Sequence, residues 1–372
     1  MLIKKVEFIN FRNLENENVN FADGINVIYG ENAQGKTNIL EGIYIFARGK
    51  SFRALKDKEL ISFGADTGYS KILFASSDKE CTLGVEIPKN ASKKFYRNKV
   101  KVSRTSEIIG EFRAVLFCPS HLGIIKDAPS VRRKFLDIAI SQLRPVYIKL
   151  LNKYNTILEN RNSILKMDEK TRAEFEEMIN VYSEELAILC ADITEMRMEY
   201  IKKLDIWVNK FIADMTDGKE NTKISYETSL KEKELLSKES IKEKYYELLT
   251  SNLDKEIKNG STLYGIHRDD LKIELNSKDA KLYSSQGQGR SLALAMKMAE
   301  GEISNEETGE YPVFLLDDVL SELDDKRRSF ILQNIVGKQV IITSCEPEMF
   351  DEKSDANYIK IQDGKIVGTE SV

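Results

Sequence analysis

One octet of the sequence fits the phosphate-loop pattern G-x-x-x-x-G-K-[ST]: Gly30, Glu31, Asn32, Ala33, Gln34, Gly35, Lys36 and Thr37. It follows a strand-like apolar run, residues 25–29, and precedes a helix-like run, residues 38–46. The glycines let backbone N–H groups curl round phosphates, Lys36 brings a positive charge to the terminal phosphates, and Thr37 offers a hydroxyl to Mg²⁺ at the positive end of a helix. This context predicts binding of a nucleoside triphosphate.

Two carboxylates end a second apolar run far downstream. Residues 313–316 are all apolar and predict a buried strand, and Asp317 and Asp318 follow directly. Phosphate-loop proteins place a magnesium ligand at such a strand end, so Asp317 is the predicted metal residue. Asp318 is then placed to orient or deprotonate an attacking water. The alternative is that both acids are ordinary solvated loop residues.

A polar, glycine-containing segment precedes a predicted helix about thirty residues before the two acids. Ser285 and Gln288 form an S-x-x-Q capping box, which predicts a helix start. Polar donors and Gly287 at a helix N-terminus also form an anion site, because the first N–H groups lack partners and the macrodipole favours phosphate. Both interpretations can hold together.

Composition and charge limit the classes of protein. The 372 residues carry 41% hydrophobic side chains and a net charge of −4, which fits a globular protein and argues against an all-round basic nucleic-acid binder. No 18 apolar residues run together and the N-terminus lacks a signal-peptide core, so a cytoplasmic location is expected. Four scattered cysteines and two histidines do not predict a zinc site.

Positive charge is concentrated in one segment, residues 89–104, which has no acidic residue and includes two aromatic ones. Such a segment can bind phosphates of DNA in a salt-dependent, sequence-independent way. Alternation over residues 95–102 equally indicates a solvated hairpin. The candidate DNA-binding residues are Lys89, Lys93, Lys94, Arg97, Lys99, Lys101 and Arg104.

The periodicity of the chain predicts an interrupted head. Strand patterns dominate residues 1–118, whereas residues 131–165 and 171–211 have the three-and-four spacing of two long amphipathic helices. A strand over 223–227 and a charged helix over 231–258 follow. We therefore predict an N-terminal head part (1–118), an inserted helical arm (119–260) and a C-terminal head part (261–372). The last part closes with a hairpin that turns at Asp363-Gly364.

Seven islands in order resemble the ATPase head of the ABC superfamily and, more closely and along nearly the whole length, the RecF family of bacterial recombination mediators. The resemblance implies an α/β fold: an ABC-type phosphate-loop head with a mixed β-sheet and an inserted α-helical arm. The islands are residues 11–13, 34–38, 51–53, 132–137, 267–271, 285–288 and 316–324.

The resemblance also implies how ATP and Mg²⁺ are used. Two ATP molecules would be sandwiched in a homodimer, with Ser285 and Gly287 of one copy completing the phosphate site of the other. Arg12, Asn13 and Asn38 would line the nucleotide pocket. Because Asp318 stands where typical relatives carry Glu and no histidine follows the last strand, slow hydrolysis is expected, so that the ATPase acts as a timer.

As a biological role, the resemblance implies ATP-gated binding of duplex, gapped or junction DNA in recombinational repair, replication restart and the SOS response, with the mediator protein RecR as partner. A chromosome-organising ATPase of the SMC type is the alternative, and a transporter nucleotide-binding subunit is a more distant one. Arg53 and the cluster 267–270 could serve as ATP-site, hinge or DNA contacts.

Overall fold

The computed structural model describes residues 1–77, 79–167, 172–235, 237–345 and 356–371. The chain divides into two compact units. Unit 1 contains residues 1–124, 210–220 and 285–372, and unit 2 contains residues 125–209 and 221–284. Among the described residues, no helix is long and apolar enough to cross a membrane.

Unit 1 contains a six-stranded sheet in the order β15-β14-β3-β13-β12-β8. All neighbouring strands are parallel except β14 and β15, which form an antiparallel hairpin. Strands β8, β12 and β13 are largely apolar and buried throughout, as expected for parallel strands covered on both faces. The strands are β3 (Ile25–Tyr29), β8 (Ala114–Phe117), β12 (Val313–Asp317), β13 (Val340–Ser344), β14 (Ala356–Gln362) and β15 (Lys365–Ser371).

A second, antiparallel sheet of unit 1 has the order β2-β1-β4-β5-β6-β7. In β1 and β4, buried residues alternate with more accessible ones, the pattern of a sheet with one face against a core. The strands are β1 (Leu2–Phe11), β2 (Leu14–Asn20), β4 (Thr67–Ser76), β5 (Lys79–Pro88), β6 (Lys94–Arg97) and β7 (Val100–Lys101).

Three helices of unit 1 position the site. The helix α1 (Lys36–Arg48) contacts β1 and β4 of the antiparallel sheet as well as β8, β12 and β13 of the parallel sheet, and its Ile39, Leu40 and Ile43 are fully buried between them. The helix α8 (Gln286–Thr308) packs on β8, and α9 (Asp325–Asn334) follows β12. Short 3-10 helices lie at Asp57–Leu60, Thr105–Glu107, Pro119–Gly123 and Leu320–Glu322.

Unit 2 combines helices with a small antiparallel sheet in the order β11-β10-β9. The helix α2 packs on α3 and on β10. The long helix α4 begins in unit 2, and its last residues belong to unit 1. The elements are α2 (Pro129–Leu143), α3 (Pro145–Ile164), α4 (Arg172–Thr216), β9 (Thr222–Glu227), a 3-10 helix (Glu232–Glu234), α5 (Lys238–Ser251), α6 (Leu253–Asn259), β10 (Asp270–Leu275), β11 (Lys278–Asp279) and α7 (Ala280–Tyr283).

Two predicted helices are each divided in the structure. The helix predicted over 131–165 is broken because Arg144 has extended backbone angles, φ −127° and ψ 91°, before Pro145, which starts α3. Proline disfavours the helical conformation of the residue that precedes it and is itself suited to the first helical position. The helix predicted over 231–258 is likewise divided, at Asn252, into α5 and α6.

The division into units differs from the predicted domain boundaries. Residues 261–284, predicted to belong to the head, lie in unit 2, because β10 pairs with β9 along its whole length. Residues 210–220, predicted to belong to the arm, lie in unit 1, where Phe211 stacks edge-on against Phe330 of α9. A strand pairing and a ring contact between distant segments leave no mark in sequence periodicity.

Candidate nucleotide-binding site

The phosphate loop connects β3 to α1 and has the backbone conformation that an anion cradle requires. Gly30 and Gly35 have φ of 155° and 116°, and a Cβ on Gly30 would stand 2.3 Å from the carbonyl oxygen of Ile361. Ala33 also has a positive φ, 65°, which costs a non-glycine residue about 1–2 kcal/mol. The loop thus lies just before the first turn of α1, and the unpaired N–H groups of a helix N-terminus favour an anion there.

Lys36 is the first residue of α1, and only 7% of it is exposed. Its Nζ donates to the carbonyl oxygens of Gly30 and Glu31 at 2.6 and 2.8 Å, and lies 3.8 Å from the Sγ of Cys345. The Sγ of Cys345 in turn donates to the side chain of Asn32 at 3.0 Å. The ammonium is thus held at the mouth of the loop by neutral acceptors that terminal phosphate oxygens can replace.

Thr37, Asp317 and Thr343 meet at the carboxyl ends of the parallel strands. Oγ1 of Thr37 donates to Oδ1 of Asp317 at 2.8 Å, and Oγ1 of Thr343 donates to the same oxygen at 3.0 Å. Burial raises the pKa of Asp317, and the hydrogen bonds from Thr37 and Thr343 oppose that effect. One hydroxyl and one carboxylate suit Mg²⁺, because this ion takes few protein ligands and completes its shell with water and phosphate oxygens.

Asp318, the predicted water-orienting residue, is exposed and has φ 51°. Its backbone N–H donates to Oγ1 of Thr343 at 2.9 Å, and Oγ of Ser321 donates to its backbone and carboxylate oxygens at 2.8 and 3.1 Å. The carboxylate of Asp318 is therefore turned away from the buried position of its neighbour Asp317 and stays open to solvent.

Asn13 connects the phosphate loop to α1. Its amide nitrogen donates to the carbonyl oxygen of Gln34 at 3.0 Å, and its amide oxygen accepts from the side chain of Asn38 at 2.8 Å. The β14–β15 turn also supports the loop, because the backbone N–H of Gly364 donates to the carbonyl oxygen of Gln34 at 3.0 Å. The local sequence predicted that turn but not its contact with the loop.

Arg12 is held by protein groups. Its Nε and Nη2 form a two-point ion pair with Glu41 of α1 at 2.8 and 2.9 Å, and its Nη1 donates to the carbonyl oxygen of Glu59 at 2.7 Å. Glu41 has no exposed surface and also accepts from Oγ of Ser51. Two of the sequence islands, residues 11–13 and 51–53, thus meet at one buried carboxylate.

Nη1 of Arg53 lies 3.3 Å from Oδ1 of Asn38, at the edge of the site.

Residues 285–291, here called the signature segment, include the predicted capping box. Oγ of Ser285 accepts from the N–H of Gln288 at 3.2 Å, and Oε1 of Gln288 accepts from the N–H of Ser285 at 2.8 Å. Nε2 of Gln288 donates to Glu220, just beyond α4, at 2.7 Å. Ser285, Gly287 and Gln288 border a cavity of about 360 Å³ that Lys219 and Arg327 also line. Among the described residues, this segment forms hydrogen bonds with residues 220 and 322–327.

The basic segment forms a hairpin of β6 and β7 that turns at Asn98 and Lys99, both with positive φ. Three of its seven charges form ion pairs, at 2.8 to 2.9 Å: Lys93 with Asp57, Lys94 with Glu86, and Arg97 with Glu111. The hairpin interpretation is confirmed, and its use as a DNA surface stays a prediction. The other four side chains are exposed, and none of them forms an ion pair in the described part of the chain: Lys89, Lys99, Lys101 and Arg104.

In unit 2, the islands 132–137 and 267–271 contact each other. Nε and Nη2 of Arg132 donate to both carboxylate oxygens of Asp270 at 2.7 and 2.6 Å. Nδ1 of His267 lies 2.6 Å from the hydroxyl of Tyr154, and its Nε2 lies 3.2 Å from the carbonyl oxygen of Thr262. Burial lowers the pKa of His267 to about 4, so the imidazole is neutral at pH 7. These contacts are those of an internal structural network.

The structure thus joins the phosphate loop, Asp317, Asn13 and Asn38 into one site, with the signature residues grouped separately within unit 1. Sequence reasoning missed Glu41, Thr343 as a hydrogen-bond partner of both acids, Glu220 and Arg327. The sequence islands at 11–13 and 51–53 were both noted, but nothing in the sequence indicated that Arg12 and Ser51 contact the carboxylate of Glu41.

Comparison with known proteins identifies the relatives of this arrangement. Residues 2–367 match the model of the RecF/RecN/SMC N terminal domain. A DNA replication and repair protein RecF from Clostridium novyi (strain NT) is 43% identical over 344 residues, which cover 92% of each chain. The solved structure of the recombination mediator protein RecF with ATP, in the RecFOR pathway, is 39% identical and superposes with a TM-score of 0.91, covering 100% of this chain and 97% of that one. An SMC head bound to the C-terminal winged-helix domain of ScpA shares the fold, with a TM-score of 0.60 at 16% identity over 100% of this chain and 98% of that one.

Proposed function

The chain belongs to the RecF family of the RecF/RecN/SMC N-terminal domain proteins, and from this membership we propose that it is an ATP-dependent, DNA-binding recombination mediator. Its work is DNA replication and repair, as the names of its relatives indicate for those proteins. The observation that carries the nucleotide part is the 2.8 Å hydrogen bond between Thr37 and Asp317, since it joins a phosphate loop to a carboxylate 280 residues away.

Within one copy, the site supports ATP and Mg²⁺ in distinct places. Lys36 and the loop residues Gly30, Glu31, Asn32, Ala33, Gln34 and Gly35 receive the phosphates, and Asn38 and Asn13 hold the loop at the start of α1. Thr37 and Asp317 would hold Mg²⁺, which would supply positive charge beside the bound phosphates. Arg12 orients α1 through its ion pair with Glu41, and it also contacts the nucleotide.

A second copy completes the site. Oγ of Ser285 accepts one hydrogen bond from the N–H of Gln288, and its own proton stays available for a phosphate oxygen. The N–H of Gly287 lies in the first turn of α8, where intrahelical acceptors are lacking. The γ-phosphate of ATP on one copy binds these groups of the other, so ATP joins the dimer and its hydrolysis removes that affinity.

Hydrolysis is slow in this proposal. Asp318 orients or deprotonates the water, but its side chain is one methylene shorter than the usual Glu, and its carboxylate accepts from Ser321. Thr343 satisfies Asp317 and Asp318 with its one hydroxyl, which leaves it no donor for a phosphate. The ATPase therefore sets the lifetime of the dimer and works as a switch.

DNA and the mediator protein RecR are the proposed macromolecular partners, in the cytoplasm. The basic hairpin supports a DNA contact through the phosphate backbone, independent of sequence. Membership in the RecF family is the basis for proposing that the protein binds gapped and junction DNA. It is also the basis for proposed roles in replication restart and in induction of the SOS response. For the domains, we propose a head formed by both chain ends and an inserted, largely helical domain.

Two substitutions test the sandwich. Lys36→Ala removes the charge that binds the terminal phosphates, so we expect it to lose nucleotide binding and dimer formation and to bind DNA only weakly. Ser285→Ala keeps the phosphate loop, so we expect it to bind nucleotide as a monomer and to bind DNA weakly. Sedimentation velocity and DNA binding, each with and without the slowly hydrolysed analogue ATPγS, measure both expectations.

Matched controls separate site effects from stability effects. Ser285→Ala removes a helix cap, which alone costs about 1 kcal/mol. Ser237→Ala removes the cap of α5, where Oγ accepts from the N–H of Ser240 at 3.1 Å, and should dimerise like the wild type. DNA binding that is equally strong in all four proteins, both with and without ATPγS, would exclude ATP gating.

A further inference from the structure

Arg327, in the first turn of α9, binds the signature segment through two nitrogens of its guanidinium and pairs with Asp324 through the third. Nη2 donates to the carbonyl oxygen of Gly287 at 2.7 Å, Nε donates to Oγ of Ser291 at 2.8 Å, and Nη1 pairs with Asp324. The planar guanidinium is suited to three acceptors in fixed directions, which an ammonium cannot reach together.

These contacts fix one peptide group. The carbonyl oxygen of Gly287 accepts from Arg327, and the N–H of Gln288 in the same peptide donates to Oγ of Ser285. Arg327 therefore orients the peptide group whose N–H donates to the hydroxyl of Ser285. A Cβ on Gly287 would lie 3.1 Å from Nη2 of Arg327, which explains why this position suits glycine.

A second arginine ties the same two segments in the opposite direction. Nη1 of Arg290, on α8, donates to the carbonyl oxygen of Glu322 at 2.8 Å. Asp324 both pairs with Arg327 and caps α9 by accepting its N–H at 2.9 Å. Hydrogen bonds of Arg290 and Arg327 thus connect the signature segment (residues 285–291) to the segment 321–327 at two points and fix the orientation of one segment relative to the other.

We propose that Arg327 is a positioning residue for the ATP-sandwiched dimer: by holding Gly287, Ser291 and Asp324 together, it presents Ser285 and the N-terminus of α8 to the triphosphate on the second copy. The inference rests on the proposed function, because it requires the signature to act across a dimer. Arg327 acts through Ser285 and Gly287, and it lines the same cavity of about 360 Å³.

Complementation between variants tests the role. Arg327→Ala keeps its phosphate loop but loses signature geometry, whereas Lys36→Ala keeps the signature but loses the loop. Each alone should stay monomeric with ATPγS, at least tenfold weaker in dimerisation than the wild type, although Arg327→Ala should bind nucleotide within twofold of the wild type. A mixture forms one intact composite site, so we expect heterodimers at least tenfold tighter than either variant alone.

Two controls sharpen the result. Arg328→Ala, the neighbouring residue of α9, loses contacts with Asp325 and the carbonyl oxygen of Leu323 but none to the signature, and should dimerise within twofold of the wild type. Arg327→Lys keeps the charge without the planar fork and should lose most of the dimerisation. If Arg327→Ala fails to fold, Arg327→Lys replaces it in the mixture.

The outcomes separate the inference from the function beneath it. The mixture of Ser285→Ala with Lys36→Ala reports on the sandwich alone. If that mixture recovers dimers and the Arg327 mixture does not, Arg327 has no positioning role and the sandwich stands. Dimerisation of Arg327→Ala within twofold of the wild type also overturns the inference. Recovery in neither mixture contradicts the proposed function itself.

Discussion

His267 shows how a single buried side chain makes stability depend on pH. Its pKa is lowered from 6.5 to about 4 by burial, so the unfolded chain binds a proton between these values and the folded chain does not. The free energy of unfolding therefore falls as pH falls through this window. Between pH 7 and pH 5 we expect His267 to account for a loss of about 2 kcal/mol, measured by urea unfolding.

His267→Gln isolates this contribution, because glutamine can still bond to Tyr154 and Thr262 but does not titrate. The variant should lose about 2 kcal/mol less than the wild type over the same pH interval. Carboxylates common to both proteins cancel in the comparison, including Asp269, whose pKa is raised by burial. Identical pH dependence in the two proteins would show that the pKa of His267 is the same in the folded and the unfolded chain.

At the scale of elements, close packing of α8 on β12 holds the signature helix against the strand that ends at Asp317. Gly301 faces Phe314, whose ring is 1% exposed, and a Cβ on Gly301 would lie 2.2 Å from the ring. We expect Gly301→Ala to lower the free energy of unfolding by about 1–2 kcal/mol, because overpacking outweighs the helix propensity gained by alanine. Denaturant unfolding at pH 7 measures the loss.

Shortening the facing side chain gives the complementary measurement. Gly301→Ala combined with Phe314→Leu should cost less than the sum of the two single changes, since the smaller leucine leaves room for the new methyl group. Gly24→Ala is the matched control, because no atom lies within 4 Å of a Cβ at that position, and it should be neutral. Additive costs in the double variant would place the strain elsewhere.

Local signals in the sequence predicted the elements well, and distant contacts poorly. The phosphate loop, the capping box at Ser285 and the turn at Asp363-Gly364 are each written in consecutive residues, and the structure has them where expected. Pro145 also indicates a helix break, whereas the periodicity of residues 131–165 predicts one continuous helix; the structure has the break. The contacts of Asp317 with Thr343, and of Arg327 with Gly287, join residues that no spacing rule relates. A single sequence therefore indicates which residues have the right chemistry, and tertiary structure decides which of them meet.

At the scale of the whole molecule, a net charge of −4 means that DNA must be bound by a local patch. In the structure, three charges of the basic segment form ion pairs, and the other four are exposed and form none with the described residues. If all four side chains contact phosphates, replacing Lys89, Lys99, Lys101 and Arg104 by Gln should reduce the magnitude of the slope of log affinity against log salt concentration by roughly 3–4. Replacing Lys93, Lys94 and Arg97 should change the slope less, because Asp57, Glu86 and Glu111 already neutralise them.

ATP gating makes a further demand on the same titration. If two copies joined by ATPγS contact one duplex, the hairpin is presented twice, so the wild-type slope should be up to about twice as steep with the analogue as without it. Lys36→Ala cannot join copies and should keep the shallower slope under both conditions. An unchanged slope for the fourfold Gln variant, alongside ATPγS-dependent binding, would assign DNA contact to another surface while leaving the gating intact.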